Sequence, residues 1–227
     1  MMINQFDAVI FDMDGTLIDS MMMWKGIDED YLERFHISMP NHLQNDIEGM
    51  SFTETAIYFK ERFNISDTVD KIKADWNTMA LEFYTKKVEL KAGVMEFLNY
   101  LKYLGKPLGI ATSNSRQLTT ACLEYLKISD LFDAVVTGCD ITAGKPQPDI
   151  YLENAKLLQV EPKKCFVFED IPQGLMAAIN AGMTTCAVDD EYSSDVKDEK
   201  IKLADYYISD FNEFMQKYTS MKGNYYE

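Results

Sequence analysis

A doubly wound α/β fold with an inserted helical segment is predicted by three features of this 227-residue sequence. Short apolar runs, bounded by turn residues, alternate with stretches of helical spacing, the rhythm of a parallel sheet covered by helices on both faces. One long segment, about residues 19–88, breaks that rhythm, with several helical patterns and no convincing strand. Acidic pairs follow two of the apolar runs, where a parallel sheet presents its carboxyl edge.

The first run, Ala8 to Phe11, is continuously apolar and β-branched at its middle, as befits a strand buried on both faces. Gly15 ends it, so Asp12 and Asp14 emerge together at the edge. Helical stretches are then expected over Met21 to Phe35, His42 to Glu48, Phe52 to Phe63 and Thr68 to Lys87. Ser51 with Glu54 fits a capping box and places a helix start just after Gly49-Met50. The aromatic residues of this segment, including Trp24, Phe52, Trp76 and Tyr84, read as the core of a small helical bundle. Further strands are expected over Pro107 to Ala111, Ala134 to Thr137, Cys165 to Phe168, Thr184 to Val188 and Tyr206 to Ile208. A core formed by residues 1–18 and 89–227 would thus carry a helical lobe of residues 19–88, with Gly223 to Glu227 as a loose tail.

Composition narrows the partners. With 37 acidic against 22 basic residues the chain carries a formal net charge of -15, which repels nucleic-acid backbones and anionic membranes. A small phosphorylated molecule is compatible with that charge if the site supplies its own cations. No run approaches the roughly 18 apolar residues of a membrane span, and Met1 to Gln5 lack the basic start of a signal peptide, so a cytoplasmic protein is expected. Cys122, Cys139, Cys165 and Cys186 show no C-x-x-C spacing and read as buried, reduced thiols. His36 and His42 read as surface residues.

Two carboxylates at one strand edge repel each other unless a cation or a shared proton intervenes. The same D-x-D-G spacing occurs in calcium loops, and a strand-ending Asp also serves as a turn or helix cap. Three further segments add chemistry. Thr112-Ser113-Asn114-Ser115 opens a helical pattern, and such a turn presents hydroxyls and unpaired N–H groups to an anion or simply caps the helix. Lys145 is held in a turn between Gly144 and Pro146, and Glu169-Asp170 follow a later strand. Four carboxylates, an anion cradle and one ammonium at strand ends form a site that calls for a hard cation; Mg2+ takes oxygen ligands and often binds through one or two carboxylates plus a phosphate.

These motifs, in this order, resemble those of the haloacid dehalogenase superfamily, in the branch of β-phosphoglucomutases and small-metabolite phosphatases. The likeness spans nearly the whole chain: Asp12-x-Asp14-Gly15-Thr16, Thr112, Lys145 before Pro146, and Glu169-Asp170. It implies a Rossmann-like core with an inserted helical cap domain, Mg2+ dependence and an aspartyl-phosphate intermediate. Asp12 would be the nucleophile and Asp14 the acid that protonates the leaving oxygen and then activates water. Thr112 with the Ser113 and Asn114 amides would hold phosphoryl oxygens, and Lys145 would offset charge. Asp12, Asp14 through its carbonyl, Glu169 and Asp170 would surround the metal, while Thr16 fixes the loop. Carbon–halogen cleavage is disfavoured, because the dehalogenases have no acid at the position of Asp14.

Within that resemblance the expected function is phosphohydrolysis of a small metabolite, with a sugar phosphate among the candidates, by a monomer. The alternative is a phosphosugar mutase, which the resembled enzymes support with a cap-loop arginine and a cap histidine. Phe52, in Gly49-Met50-Ser51-Phe52, and Trp24 stand at about those positions. Trp24, Gly49, Met50, Ser51 and Phe52 are the expected substrate-facing cap residues, and Met21-Met22-Met23 either line the cleft or pack in the core. A non-catalytic phosphate-binding protein or a receiver-like signalling domain is the reading from another class. Receivers reverse the order of acidic pair and phosphoacceptor and have no helical insertion.

Overall fold

The structure is a computed structural model that describes residues 2–219; the tail expected at Gly223 to Glu227 lies outside the described residues. Six parallel strands form one sheet: β1 (Ala8–Phe11), β2 (Leu108–Thr112), β3 (Ala134–Thr137), β4 (Cys165–Glu169), β5 (Thr184–Val188) and β6 (Tyr206–Ile208), in the order β3-β2-β1-β4-β5-β6. The doubly wound α/β expectation holds. Two strands end one residue later than expected. Pro107 has no N–H for the ladder, and its carbonyl accepts from Val9 N at 3.1 Å, so β2 starts at Leu108 and includes Thr112. β4 likewise extends through Glu169.

The order reverses between β1 and β4, the place where such sheets open a crevice beyond their carboxyl ends. Phe11 lies opposite Phe168, so Asp12 and Glu169 leave adjacent strands side by side. Their neighbours are locked by packing. On one face Val9, Phe11, Phe166 and Phe168 meet Phe97 of α5 (Val94–Tyr103) and Phe211 and Phe214 of α10 (Phe211–Tyr218). The Phe11 and Phe168 rings stack at 5.2 Å. On the other face Ala8, Ile10 and Val167 pack against Ile150 and Tyr151 of α7 (Asp149–Leu157) and Ala177 and Ala178 of α8 (Pro172–Asn180).

Between β1 and β2 come α1 (Met21–Glu33), α2 (Leu43–Ile47), α3 (Phe52–Arg62) and α4 (Val69–Lys86). The α3 start is the expected capping box: Glu54 N–H donates to Ser51 Oγ at 3.3 Å and Ser51 N–H to Glu54 Oε2 at 2.8 Å. On α4 the buried residues Ile72, Trp76, Ala80 and Tyr84 recur every fourth position, and the Trp76 ring meets Tyr31, Phe52 and Phe59 edge-on. The chain enters and leaves this segment side by side, with Ile18 and Leu90 paired as an antiparallel bridge. Two bonds tie its α3 end to the sheet edge: Phe52 N–H donates to Ser113 O at 2.9 Å, and Gly144 N–H to Glu54 Oε2 at 2.9 Å.

His36 and His42 are exposed, as expected. All four cysteines are free, but Cys139 is exposed rather than buried, since it follows β3 in an edge turn. No helix among the described residues is long and apolar enough to cross a membrane.

Candidate active site

The ends of β1 and β4, with Lys145 from the connection between β3 and α7, bring Asp12, Lys145, Glu169 and Asp170 into one buried cluster at the carboxyl edge. Lys145 Nζ donates to Asp12 Oδ1 at 2.6 Å and also to Glu169 Oε1. Its peptide bond to Pro146 is cis. Glu169 is saturated by the protein: Tyr151 OH donates to Oε1 at 2.7 Å, and the Asp170 and Ile171 N–H groups donate to Oε2. A Cβ on Gly174 would lie 2.0 Å from the Glu169 carboxylate, so that position tolerates no side chain. Asp170 Oδ1 accepts from Thr16 Oγ1 at 2.9 Å, which ties the first-strand loop to the fourth, the fixing role expected of Thr16. Gly15, at φ +84°, makes room for Asp170 Oδ2, which a Cβ would approach to 2.2 Å. Lys91 Nζ clamps the same loop from behind, donating to Gly15 O at 2.7 Å and to Asp190 at 2.8 Å.

Carboxylate oxygens of Asp12, Glu169 and Asp170 lie within 4.8 Å of one another. Burial pushes the Asp12 carboxyl well above the usual carboxylate range; Lys145 opposes the rise, and Glu169 and Asp170 add to it. Burial, with Glu169 and Asp190, raises Asp170 to about 8. Burial disfavours the Lys145 ammonium, yet Asp12 and Glu169 outweigh it and hold its pKa above the usual lysine range. One ammonium among three buried carboxylates leaves negative charge uncompensated. A hard divalent cation shared among these carboxylate oxygens is the arrangement this donor set fits.

Asp14 stands apart from that cluster. Its carboxylate accepts from Ser20 Oγ at 2.6 Å, from Asn114 Nδ2 at 2.9 Å and from Tyr84 OH. The side chain therefore is not among the grouped metal-type oxygens. Tyr84 is in turn fixed by Trp24 Nε1 and Asn114 Nδ2, each at 2.8 Å. Burial, then Asp14, pushes the Tyr84 phenol well above its ordinary pKa, so it stays a donor. Thr112, Asn114 and Ser115 are buried, with Ser113 half-buried. Ser115, not Thr112, caps α6 (Arg116–Tyr125), accepting from Leu118 N–H, which leaves the Thr112-Ser113 turn facing the cluster. The Asn114 N–H is already spent on Thr112 Oγ1 at 3.2 Å.

Above these groups lies a cavity of about 620 Å³ whose opposite wall is helical. Trp24, Gly49, Met50 and Phe52 line it; Ser51 does not, because its hydroxyl is used in the capping box. Of the methionines, Met21 reaches the cavity, Met23 packs against the core and Met22 is 68% exposed. Residues 9–188 match the model of the haloacid dehalogenase-like hydrolases. The chain belongs to that family. It is 30% identical over 177 residues to a phosphorylated carbohydrates phosphatase from Thermotoga maritima, covering 78% of this chain and 82% of that protein. It is 32% identical over 190 residues to (DL)-glycerol-3-phosphatase 2 from Arabidopsis thaliana, covering 80% and 79%. Its fold is that of β-phosphoglucomutase from Clostridium difficile, with a TM-score of 0.79 at 23% identity over 93% of this chain and 96% of that one.

Sequence reasoning placed Tyr84, Ser20 and Tyr151 in no functional role. For Tyr84 a signal existed: it ends an every-fourth-residue apolar face, and a buried phenol there needs a polar partner. Ser20 and Tyr151 carry no comparable local mark.

Proposed function

We propose that the protein is a Mg2+-dependent phosphohydrolase of a small phosphorylated metabolite, acting through a phosphorylated Asp12. The observation that carries this reading is the buried Asp12–Lys145 pair at 2.6 Å beside Asp170, facing a cavity whose floor also holds Thr112 and Asp14. The hydrolase family and the phosphatase names of its relatives support the substrate class.

An Asp12 carboxylate oxygen attacks phosphorus, the bond to the leaving oxygen breaks, and Asp14 gives that oxygen its proton. Water then attacks the same phosphorus, Asp14 takes the water's proton, the Asp12–phosphorus bond breaks and inorganic phosphate leaves. Lys145 keeps Asp12 aligned and meets phosphoryl charge, while Thr112 and the Ser113 N–H hold phosphoryl oxygens. Asp12, Asp170 and the Asp14 carbonyl would hold Mg2+, with Glu169 serving chiefly to hold Lys145. When bound, Mg2+ supplies positive charge that keeps these carboxylates ionised and draws charge from the phosphoryl group. In this reading α1 to α4, residues 19–88, act as a cap that excludes water and selects the leaving group.

The mutase alternative rests on likeness of fold, and no arginine lines the described cavity to hold a second phosphate. The test is phosphate release from a panel of phosphorylated metabolites with Mg2+, with chelator, and with Asp12→Asn. Mg2+-dependent release that Asp12→Asn abolishes is expected; release untouched by that substitution would overturn the reading.

A further inference from the structure

Beyond the reaction centre, the cavity wall carries charge that the proposed chemistry does not use. Asp28 on α1, Glu48 after α2, and Asp195 and Glu199 beyond β5 line this part, against one cation, Lys25. Among the described residues, no ion pair engages any of these four carboxylates. Asp28 is 5% exposed, and its Oδ2 accepts from Gln44 Nε2 at 2.9 Å. Asp28, Glu48 and Asp195 each disfavour ionisation of the Tyr192 phenol at the cavity wall, and Asp195 and Glu199 act in the same way on Glu48. Burial lifts both Asp28 and Glu48 to about 7, the mark of carboxylates held away from water without a cation.

A second observation comes from the aromatic residues beside them. Trp24, Phe52 and Trp76 line the same cavity, and Trp76, 2% exposed, has an indole N–H with no partner among the described residues. Buried polar groups are ordinarily satisfied, so this donor looks for an acceptor on a ligand. Unpaired carboxylates next to aromatic rings form the chemistry that recognises an ammonium group, through charge and cation–π attraction together. A second anion on the ligand would meet three more negative than positive side chains in a cavity that concentrates their field.

We infer that the leaving group of the substrate carries a protonated amine, drawn to this wall by the charge of Asp28 and Glu48. This rests on the phosphohydrolase reading above and specifies which phosphomonoester the site takes: one with an ammonium distal to the phosphate, and with a hydroxyl in reach of the Trp76 N–H.

The test uses matched phosphates that differ only at the distal group: 2-aminoethyl, 2-hydroxyethyl and carboxymethyl phosphate, then glucosamine 6-phosphate against glucose 6-phosphate. p-Nitrophenyl phosphate is the common control. Wild-type protein should prefer the amine in each set by roughly tenfold or more in kcat/KM, the scale of a charged hydrogen bond. Asp28→Asn and Glu48→Gln should each shrink that preference at least severalfold while leaving p-nitrophenyl phosphate turnover near wild type. Equal or better turnover of the hydroxyl or carboxylate compounds, with p-nitrophenyl phosphate hydrolysed, overturns this inference alone. An unchanged preference in both variants assigns the selectivity elsewhere and also overturns it. If no phosphate is released from any compound, p-nitrophenyl phosphate included, the hydrolase reading fails and this inference with it.

Discussion

The two walls of the cavity treat the same residue type in opposite ways. At the strand edge every carboxylate has a built partner: Lys145 for Asp12, backbone amides and Tyr151 for Glu169, Thr16 for Asp170, and three donors for Asp14. On the helical wall Asp28 has one amide donor, and among the described residues no cation is paired to Asp28 or Glu48. The contrast teaches where each wall meets its ligand. In the proposed reaction the groups that act on the phosphoryl unit would be fixed before it arrives, whereas the leaving-group wall would keep its charge open for what binds.

The hardest blow to the pre-paired wall is loss of its ammonium. Lys145→Ala leaves three buried carboxylates without their cation, so a loss of about 3–5 kcal/mol of stability is expected, as when one partner of a buried pair is removed. Activity should fall by roughly 10²-fold or more. Urea melts with and without Mg2+ check this, with the deficit narrowed by the ion. A variant as stable as wild type in chelator would erase the contrast between the walls.

Tyr84→Phe cuts a link between the two walls, because Tyr84 reaches from the helical segment to Asp14. Its effect should depend on how much the leaving oxygen needs a proton. An alkyl phosphate should lose about tenfold in kcat/KM and p-nitrophenyl phosphate far less, since the latter leaves unprotonated. Equal losses on both would mean that Tyr84 only supports packing.

Much of the strand-edge wall is legible in the sequence, and the reason is local. A short apolar run ending in Asp-x-Asp or Glu-Asp fixes both the strand and the edge from which its carboxylates emerge, as at Asp12, Asp14, Glu169 and Asp170. Strand order supplied the rest, by setting β1 beside β4. The helical wall is less legible because a helix face reads the same whether it meets core or cavity. Trp24, Phe52 and Trp76 do both. Ser51 sits in the right loop yet its hydroxyl closes a helix end, and Asp28 looks like one more surface charge until Gln44 and the cavity surround it.

Asp28→Asn probes the open wall through stability alone. Between about pH 4 and 7 the folded protein keeps a proton on Asp28 that the unfolded chain has lost, so the site costs stability as pH rises through its folded value of about 7. The substitution should therefore stabilise the protein by about 1–2 kcal/mol at pH 8 and by nothing measurable near pH 4. Denaturant melts at the two pH values read the difference; a gain of the same size at both would deny Asp28 its uncompensated charge.

Smallest is the loss of the α3 cap. Ser51→Ala should cost about 1 kcal/mol and leave distal-group preference unchanged, because its hydroxyl serves the helix and not the ligand. A changed preference with unchanged stability would put Ser51 back at the cavity wall.

In the proposed reaction Asp12 carries the phosphoryl group. Rapid acid quench of the protein turning over a good substrate with Mg2+, followed by peptide mapping, tests it most directly. Acid-stable, hydroxylamine-labile phosphate is expected on the peptide containing Asp12, absent from Asp12→Asn. Phosphate found on another residue, with Asp12→Asn still turning over, would contradict it.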